Sequence, residues 1–353
     1  MNWSDKWREY YVRYAQWEYW PMFWVYFPVF FLWLFYALKL RAFLWNTAAN
    51  PSIFSGGFVG EPKNEIYEMI PVYLLPKTLY LSKPRLNDKE INRLLEENEM
   101  DFPLIIKPNR GERGNKIFKI DNREQLVFHL NHFPVDFVLQ EYIDSYLEAA
   151  VFCVKNPQTL EVKIISLTTK NFLTVTGDGI HTLKELICNH DRAFMARKSL
   201  FNLWENQLNE VIEKGRELVL ESIGNHCRGT EFISGMHLIN DKMINSFTNI
   251  MNQIHGVYVV RFDLRYTHPN DLENGKVKIL ELNGVGAEPA HIYDISIGFI
   301  EKYQILFKLY HEIFQISKYL IQNKLSKPMS LKDWFKHSTF MKSYNKKLNA
   351  YVA

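Results

Sequence analysis

The 353-residue chain has few cysteines, little net charge and none of the short motifs of common hydrolases and dehydrogenases. Cys153, Cys188 and Cys227 form no C-x-x-C pair and leave an odd count. We therefore expect no disulfide framework and no zinc site, which fits a reducing compartment. A formal net charge of +3 gives no basis for a nucleic-acid partner. The absence of G-x-S-x-G, H-E-x-x-H and G-x-G-x-x-G excludes three familiar enzyme classes.

Aromatic residues make up 15% of the chain and are concentrated near its start. The 19 residues from Trp20 to Leu38 carry no charge. As a helix they would be about 28 Å long, close to the hydrocarbon thickness of a bilayer. The run contains too much Trp and Tyr for a signal-peptide core, and no small-residue cleavage site follows it. Aromatic residues at helical spacing precede the run at Trp3, Trp7, Tyr10, Tyr14 and Trp17.

These two segments predict membrane association of the first 45 residues. Pro21 and Pro28 lie at the start and in the middle of the run, and aromatic side chains prefer the membrane interface to its centre. The sequence leaves open whether the run spans the bilayer or is half embedded, and the alternative is a core helix of a soluble domain. Lys39 and Arg41 follow the run, which predicts that the rest of the chain lies on the cytoplasmic side.

Helical and extended patterns alternate after this segment, which predicts an α+β fold. Residues 46–61 are rich in Gly, Ser, Pro and Asn and indicate a loop and a boundary. Thr182 and Glu185 have the spacing of a helix-capping box, and the residues after Leu325 form a lysine-rich tail. Helices are predicted at 87–98, 123–132 and 297–323, and strands at 104–107, 117–120, 137–141, 161–169, 257–264 and 277–282.

The first chemical motif is a glycine-rich hairpin over residues 102–116. Lys107 ends an apolar strand, where its ammonium group can reach phosphate oxygens. Gly111 and Gly114 follow in a loop whose backbone amides can close over a polyphosphate without a Cβ in the way. A second strand follows instead of the helix of a P-loop. The second motif is the strand 137–143, whose backbone can pair with an adenine edge while Glu148 holds ribose hydroxyls.

The third motif consists of two strands with polar residues two positions apart. Asp263 follows Arg261, and Asn283 follows Glu281, so each pair lies on one face of its strand. If the two strands are neighbours, Asp263, Glu281 and Asn283 form an all-oxygen cluster that suits Mg²⁺. Arg261 would lie beside the transferred phosphoryl group. The alternative is a surface ladder of ion pairs.

Taken in order, these motifs resemble the ATP-grasp superfamily over residues 70–295, in particular D-alanine–D-alanine ligases and cyanophycin synthetases. The segments Thr176–Ile187 and Gly224–Thr230 are similar to segments of the cyanophycin synthetase type. The resemblance implies two α+β subdomains that clasp ATP, at residues 101–295. It leaves residues 46–100 as a reduced preceding region and 296–353 as an amphipathic helix with a basic tail. The loop Gly111–Gly114 lacks the serines of D-alanine–D-alanine ligases, so that dipeptide activity is not expected.

The resemblance also implies roles for individual residues. Arg261, Lys107 and Arg228 would be catalytic, and Asp263, Glu281 and Asn283 would bind Mg²⁺. The substrate would meet Lys170, Arg228 and His291. Contacts to ATP would come from Lys77, Lys107, Gly111, Glu112, Arg113, Gly114, Gln140, Glu141, Tyr142, Ile143 and Glu148.

The predicted function is an ATP-dependent carboxylate–amine ligase that works through an acyl phosphate, with small-molecule or lipid-linked substrates at a membrane surface. The first alternative is a phosphotransferase on the same fold, which phosphorylates a hydroxyl group. The second is a membrane-associated scaffold that binds ATP without catalysis. The sequence predicts neither the oligomeric state nor the identity of the substrates.

Overall fold

Two antiparallel sheets form the centre of the computed structural model, which describes residues 3–82, 86–111, 114–145, 147–222, 224 and 229–351. The strands are β1 Thr78–Leu81, β2 Leu104–Pro108, β3 Phe118–Ile120, β4 Phe137–Glu141, β5 Leu147–Lys155, β6 Val162–Asn171, β7 Thr174–Thr176, β8 Glu217–Val219, β9 Glu231–Ser234, β10 Val259–Tyr266 and β11 Lys278–Asn283. The helices are α1 Trp3–Ala15, α2 Met22–Leu40, α3 Lys63–Met69, α4 Asp88–Glu97, α5 Arg123–His132, α6 Leu183–Asn189, α7 Asp191–Leu203, α8 Asp241–Gln253, α9 Pro269–Glu273, α10 Phe299–Gln322 and α11 Leu331–Asn349. The predicted α+β class is confirmed.

The first sheet has the strand order β1-β4-β2-β3 and carries the predicted glycine-rich hairpin. Strands β2 and β3 pair antiparallel, with Leu104 opposite Ile120 and Ile106 opposite Phe118. Helices α4 and α5 supply Ile91, Leu126 and other apolar residues to the core of this sheet. Local signals set the helix starts, since Asn87 caps α4 in a capping box with Glu90.

The second sheet has the strand order β11-β10-β5-β6-β9, with every neighbouring pair antiparallel. Strand β10 lies between β11 and β5, so that Asp263 is opposite Glu281 on one side and Arg265 is opposite Glu148 on the other. Helix α8 covers the opposite face and buries Phe247 and Met251 against Phe262 and its neighbours. Strands β7 and β8 form a separate pair beside α6, which begins at the predicted Thr182–Glu185 capping box.

Helix α2 packs one face on the protein and leaves the other exposed. Val25 and Val29 are buried with Leu306 of α10, and the ring of Tyr36 stacks on Phe314 at a centroid distance of 4.0 Å. Its outward face has seven large apolar residues, each between 44% and 71% exposed. They are Phe23, Trp24, Phe27, Phe30, Phe31, Phe35 and Leu38.

In length and composition, α2 is the one helix in the described part of the chain that could cross a membrane, with 22% of its most apolar window buried. Helix α1, which precedes it, is tied to α7 by ion pairs of Arg8 with Asp191 and Arg197 with Glu9. Its aromatic residues Trp7, Tyr10, Tyr11 and Tyr14 are exposed.

The lysine-rich segment at the end of the chain contains a second helix, α11, which packs on the first sheet. Tyr344, Leu348 and Tyr351 are buried in that sheet's core. The hydroxyl of Tyr344 accepts a hydrogen bond from the backbone amide of Arg110. The ammonium group of Lys116 donates a hydrogen bond to the carbonyl of Tyr351 at 2.6 Å. Because Arg110 and Lys116 flank the glycine-rich loop, α11 contacts one end of that loop and the residues after α11 contact the other.

Candidate active site

A cleft of about 370 Å³ lies between the two sheets. The first sheet contributes Lys107 and the strand end Gln140–Ile143, and the second contributes Glu148, Lys170 and the polar face of β10 and β11. The segment between α2 and α3, residues 41–62, is called the roof loop and adds Gly57, Phe58 and Glu61 to the lining of the cleft. The cleft therefore brings together all three motifs that the sequence singles out.

The predicted oxygen cluster forms on β10 and β11. Asp263 lies directly opposite Glu281 in the antiparallel register, and Arg261 lies opposite Asn283. The Asn283 amide donates to Asp263 Oδ2 at 2.9 Å. Burial alone would raise the pKa of Asp263, but Arg261 and Lys170 together hold it below its ordinary value. The predicted adjacency of the two strands is thus confirmed.

Two lysines face this cluster. Lys107 Nζ donates to Gln140 Oε1 at 2.8 Å and to the carbonyl of Leu280 at 3.1 Å. Burial lowers the pKa of Lys107 to about 7. Lys63 Nζ forms an ion pair with Glu281 at 2.9 Å and donates to the carbonyl of Gly111 at 3.0 Å. The sequence analysis missed Lys63, since it directly follows a segment interpreted as loop.

Lys77 lies outside the cleft. Its ammonium group pairs with Glu99 at 3.1 Å. The predicted contact of Lys77 with ATP phosphates stays a prediction, and Lys63 is a second lysine that lines the cleft. Gly114 lines the cleft as predicted, and Gly111 adjoins it through its bond to Lys63. The predicted nucleotide residues Glu112 and Arg113 lie outside the described residues.

Glu148 is the centre of a buried ion network rather than a free acceptor. One carboxylate oxygen receives Lys170 at 2.8 Å and the other receives Arg265 at 2.9 Å. Its side chain is only 4% exposed. The predicted contact of Glu148 with ribose hydroxyls stays a prediction. Lys170 also reaches Asp263 at 3.2 Å. The ion pairs of Lys170 thus connect Glu148 with the oxygen cluster.

Arg261 is positioned to receive an anion. Its Nη2 pairs with Asp263 at 2.9 Å, and its Nη1 donates to the carbonyl of Glu288 at 3.3 Å. The Nε atom is buried and has no hydrogen-bond partner among the residues that the structure describes. A buried donor without a partner is costly, so an anionic oxygen in the cleft would relieve that cost.

The predicted adenine strand lines the cleft at Gln140, Glu141, Tyr142 and Ile143. Two further substrate predictions have different outcomes. His291 is not among the residues that line the cleft and lies buried, with Nδ1 2.5 Å from the Ser166 hydroxyl, so its contact with substrate stays a prediction. Arg228, predicted as a catalytic and substrate residue, lies outside the described residues.

The oxygen cluster fits Mg²⁺ by the chemistry of its donors. Two carboxylates and one side-chain amide face one cleft, and Mg²⁺ in nucleotide sites takes one or two carboxylates together with phosphate and water oxygens. No group of three or more His, Cys, Asp or Glu side chains that could hold a metal occurs in the described ranges.

No protein-family model matches the chain. The "Probable DNA-directed RNA polymerase" of Neurospora crassa is 29% identical over 183 residues, which cover 49% of this chain and 19% of that protein. The chain thus spans less than a quarter of the length of this relative.

Among solved structures, the D-alanine–D-alanine ligase from Bacillus anthracis is 15% identical with a TM-score of 0.40, covering 78% of this chain and 72% of that one. The VanG D-Ala:D-Ser ligase from Enterococcus faecalis is 15% identical with a TM-score of 0.40, over 71% and 61%. A bifunctional glutathione synthetase from Pasteurella multocida is 13% identical with a TM-score of 0.37, over 71% and 36%. D-Alanine–D-alanine ligases, which the sequence motifs resemble, are thus among the similar structures. The function proposed below rests on the geometry of the cleft.

Proposed function

We propose that the chain is an ATP-dependent carboxylate–amine ligase of the ATP-grasp type, which acts through an acyl phosphate. The observation that carries this proposal is the juxtaposition of Asp263, Glu281 and Asn283 across one cleft from Lys107. The carboxylates of Asp263 and Glu281 are paired here with the side chains of Arg261, Lys170 and Lys63. An arrangement of that kind suits a ligand that brings both phosphate oxygens and a divalent cation.

Lys107 and Lys63 would bind the phosphate groups of ATP. Both ammonium groups lie in the cleft near Glu281, at the end of the hairpin whose glycine-rich loop would cover the phosphates. Backbone carbonyls also hold these ammonium groups in place, so that the lysines need little reorganisation to bind an anion. The adenine would lie against the strand end Gln140–Ile143.

Asp263, Glu281 and Asn283 would hold Mg²⁺ together with the phosphate oxygens. When bound, the ion would neutralise charge on the transferred phosphoryl group. Arg261 adds a second positive charge at the same end of the cleft, and its unpaired Nε would donate to an equatorial phosphoryl oxygen.

The reaction proceeds in two displacements. A substrate carboxylate oxygen bonds to the γ-phosphorus while the bond from that phosphorus to the β–γ bridging oxygen breaks, which gives an acyl phosphate and ADP. An amine nitrogen then bonds to the acyl carbon as phosphate leaves, which gives an amide. Lys170, which already contacts Asp263, lies in the cleft where it would neutralise the donor carboxylate.

A hydroxylamine assay separates this reaction from phosphorylation of a hydroxyl group. Purified protein with Mg-ATP, hydroxylamine and pooled carboxylic acids should release ADP and form a hydroxamate, and Asp263→Asn should form none. A phosphotransferase would yield a phosphate ester, which hydroxylamine leaves intact.

Isothermal titration tests the binding of Mg-ATP, on which all three proposals depend. If the folded protein takes up no Mg-ATP, the scaffold and the two enzyme proposals all fail.

The same proposal places the enzyme at the cytoplasmic face of a membrane. The seven exposed apolar residues on the outward face of α2 support it, since contiguous apolar patches of that kind are unusual on soluble monomers. The inward face of α2 packs against α10, which favours a helix that lies in the interface over one surrounded by lipid. Both substrates, small or lipid-linked, would then reach the cleft from that surface.

A further inference from the structure

The cleft has a second end that the phosphate chemistry does not use. We call it the aromatic end and define it by five residues that line the cleft: Trp20, Met22, Phe232, Glu288 and Tyr293. Trp20 and Met22 come from the start of α2, and Glu288 and Tyr293 from the loop after β11. The carboxylate of Glu288 thus lies among three aromatic side chains and the thioether of Met22.

The Glu288 carboxylate is fixed by two phenol hydroxyls. Tyr26 of α2 donates to Oε1 at 2.5 Å, and Tyr293 donates to Oε2. Burial, followed by the negative charge of Glu288, raises the pKa of Tyr26 well above its ordinary value, so the phenol keeps its proton and remains a donor. The carboxylate therefore has a defined orientation at the wall of the cleft.

Among the described residues, Glu288 has no ion-pair partner, unlike four other carboxylates that line the cleft. Arg261 interacts with it electrostatically but donates to its backbone carbonyl. Asp263, Glu281 and Glu148 pair with Arg261, Lys63 and Lys170 respectively, and Glu18 pairs with Arg192. No ion pair involves the Glu288 side chain in the ranges that the structure describes. Two neutral donors orient a carboxylate but do not compensate its charge.

The chemistry of the aromatic end selects an organic ammonium group. A primary ammonium could form an ion pair with Glu288 and a cation–π contact with a neighbouring ring. A divalent metal would find only one carboxylate among the five residues of the aromatic end, because the other four are three aromatic side chains and a methionine. The aromatic end also adjoins the phosphoryl end, since Arg261 donates to the backbone carbonyl of Glu288.

We propose that Glu288 binds the ammonium group of the acceptor amine and receives its proton. This inference rests on the ligase function proposed above. The ammonium passes one proton to the Glu288 carboxylate, and the neutral nitrogen then bonds to the acyl carbon. The bond from that carbon to the phosphate oxygen breaks, and the second nitrogen proton leaves with phosphate. The carboxylic acid of Glu288 finally loses its proton to water.

Helix α2 makes two sources of this amine possible. One face of the helix reaches Glu288 through Tyr26, and the other carries the exposed apolar residues assigned above to the membrane interface. A lipid headgroup with a primary amine and a soluble amine share the chemistry that Glu288 recognises. The experiment therefore has one arm for each source.

The soluble arm uses benzylammonium as the probe, titrated calorimetrically into the full chain with Mg-ADP at neutral pH. The wild-type protein should bind benzylammonium at least tenfold more tightly than the isosteric benzyl alcohol. Glu288→Gln should weaken the binding of benzylammonium about tenfold or more, because it removes a charge-assisted contact. Glu301→Gln, which removes one exposed carboxylate at the start of α10, is the matched control and should change nothing.

The lipid arm compares sedimentation with vesicles of phosphatidylcholine and with vesicles that also contain phosphatidylethanolamine. A lipid acceptor predicts stronger binding to the primary-amine vesicles, and Glu288→Gln should abolish that gain while binding to phosphatidylcholine stays. A Glu288-dependent gain in either arm supports the proposal and identifies the source of the amine.

Two results would overturn it. The ammonium site is removed if wild-type protein binds benzylammonium and benzyl alcohol equally and also shows no gain on primary-amine vesicles. It is removed as well if Glu288→Gln leaves the binding in both arms unchanged. If Glu288→Gln does not fold, Tyr26→Phe replaces it. That variant keeps the carboxylate but loses one orienting donor, so it should weaken the binding of benzylammonium severalfold.

Uptake of Mg-ATP is measured on the same samples. Failure of the amine arms with normal Mg-ATP uptake contradicts this inference alone, whereas loss of Mg-ATP uptake by the wild type contradicts the ligase.

Discussion

Lys63 and Lys107 place two buried ammonium groups close to the single carboxylate of Glu281. Lys63 lowers the pKa of Glu281 despite its burial, and burial lowers the pKa of Lys107 to about 7. Burial disfavours the charged form of Lys107, because Glu281 already pairs with Lys63. A polyphosphate would add negative charge beside both lysines, so they are expected to contribute to nucleotide affinity more than exposed lysines do.

The pair Lys63 and Lys77 provides a matched test of the site. Lys63→Ala should weaken Mg-ATP binding about tenfold or more, because a charge-assisted contact in a buried site is lost. Lys77→Ala removes the same charge from an exposed position that pairs with Glu99 and should leave binding within about twofold. Calorimetric titration of both variants measures this. Equal affinities would mean that the nucleotide does not lie between Lys63 and Glu281.

His129 gives the folded state a distinct pH dependence. Its ring is buried beside Tyr351, and burial lowers the pKa from 6.5 to about 4, with a smaller effect of His132. Between these two values the unfolded chain binds more protons than the folded one, so stability falls as the pH drops through this window. Urea unfolding from pH 7 to pH 4 should show a shallower pH dependence for His129→Gln.

The control is the same substitution at the exposed His132. A wild-type slope in His129→Gln, or an equally reduced slope in both variants, would contradict the assignment to His129.

The placement of the site residues could be predicted from the sequence where the alternation of side chains along a strand determines their face. Arg261 with Asp263, and Glu281 with Asn283, had to share a strand face, and their order along the chain suggested neighbouring strands. Lys63 could not be found in this way, because it lies at the start of α3 and meets Glu281 through a contact between segments distant in sequence. Lys77 was chosen for its order along the chain, but that order does not determine its side-chain partner, which is Glu99.

Among the secondary-structure elements, those with strong local signals were predicted well. Helix α5 and strand β4 have the predicted ends, and the predicted capping box begins α6. Strand β5 was missed although it is central to the second sheet. Eight of its nine residues are buried, so its sequence lacks the alternation that marks a half-buried strand. Its neighbours on both sides determine its conformation.

The outward face of α2 is the element that should bind membranes. Phe27→Ser combined with Phe31→Ser removes two exposed rings that contact each other at a centroid distance of 5.2 Å. The double variant should lose most binding to phosphatidylcholine vesicles in a sedimentation assay, because each buried aromatic residue contributes strongly at the interface.

The free energy of unfolding of this double variant should stay within about 0.5 kcal/mol of the wild-type value, since neither ring is part of the core. Undiminished sedimentation of the stable double variant would contradict the membrane role of this face.

At the scale of the whole molecule, the end of the chain completes the core of the first sheet. Leu348 of α11 is fully buried with residues of α5 and β4. Leu348→Ala should lower the free energy of unfolding by about 2–5 kcal/mol, because it leaves a cavity in a packed core. Urea denaturation measures the loss.

The exposed Leu331, at the start of the same helix, is the control. Leu331→Ala should cost less than about 1 kcal/mol. If both substitutions cost the same small amount, α11 does not belong to the core.

The roof loop and the loop after β11 are in direct backbone contact. The carbonyls of Gly56 and Gly57 accept the amides of Val285 and Gly286, and a Cβ on Gly57 would come within 2.6 Å of the Gly284 Cα. With no room between the two segments, the roof loop and the end of β11 cannot separate without breaking these hydrogen bonds. The glycine-rich hairpin is tied to the same side, because Arg110 donates to the carbonyl of Gly60 and Lys63 donates to the carbonyl of Gly111. Any opening of the cleft at this wall would therefore have to break contacts at both ends of the loop.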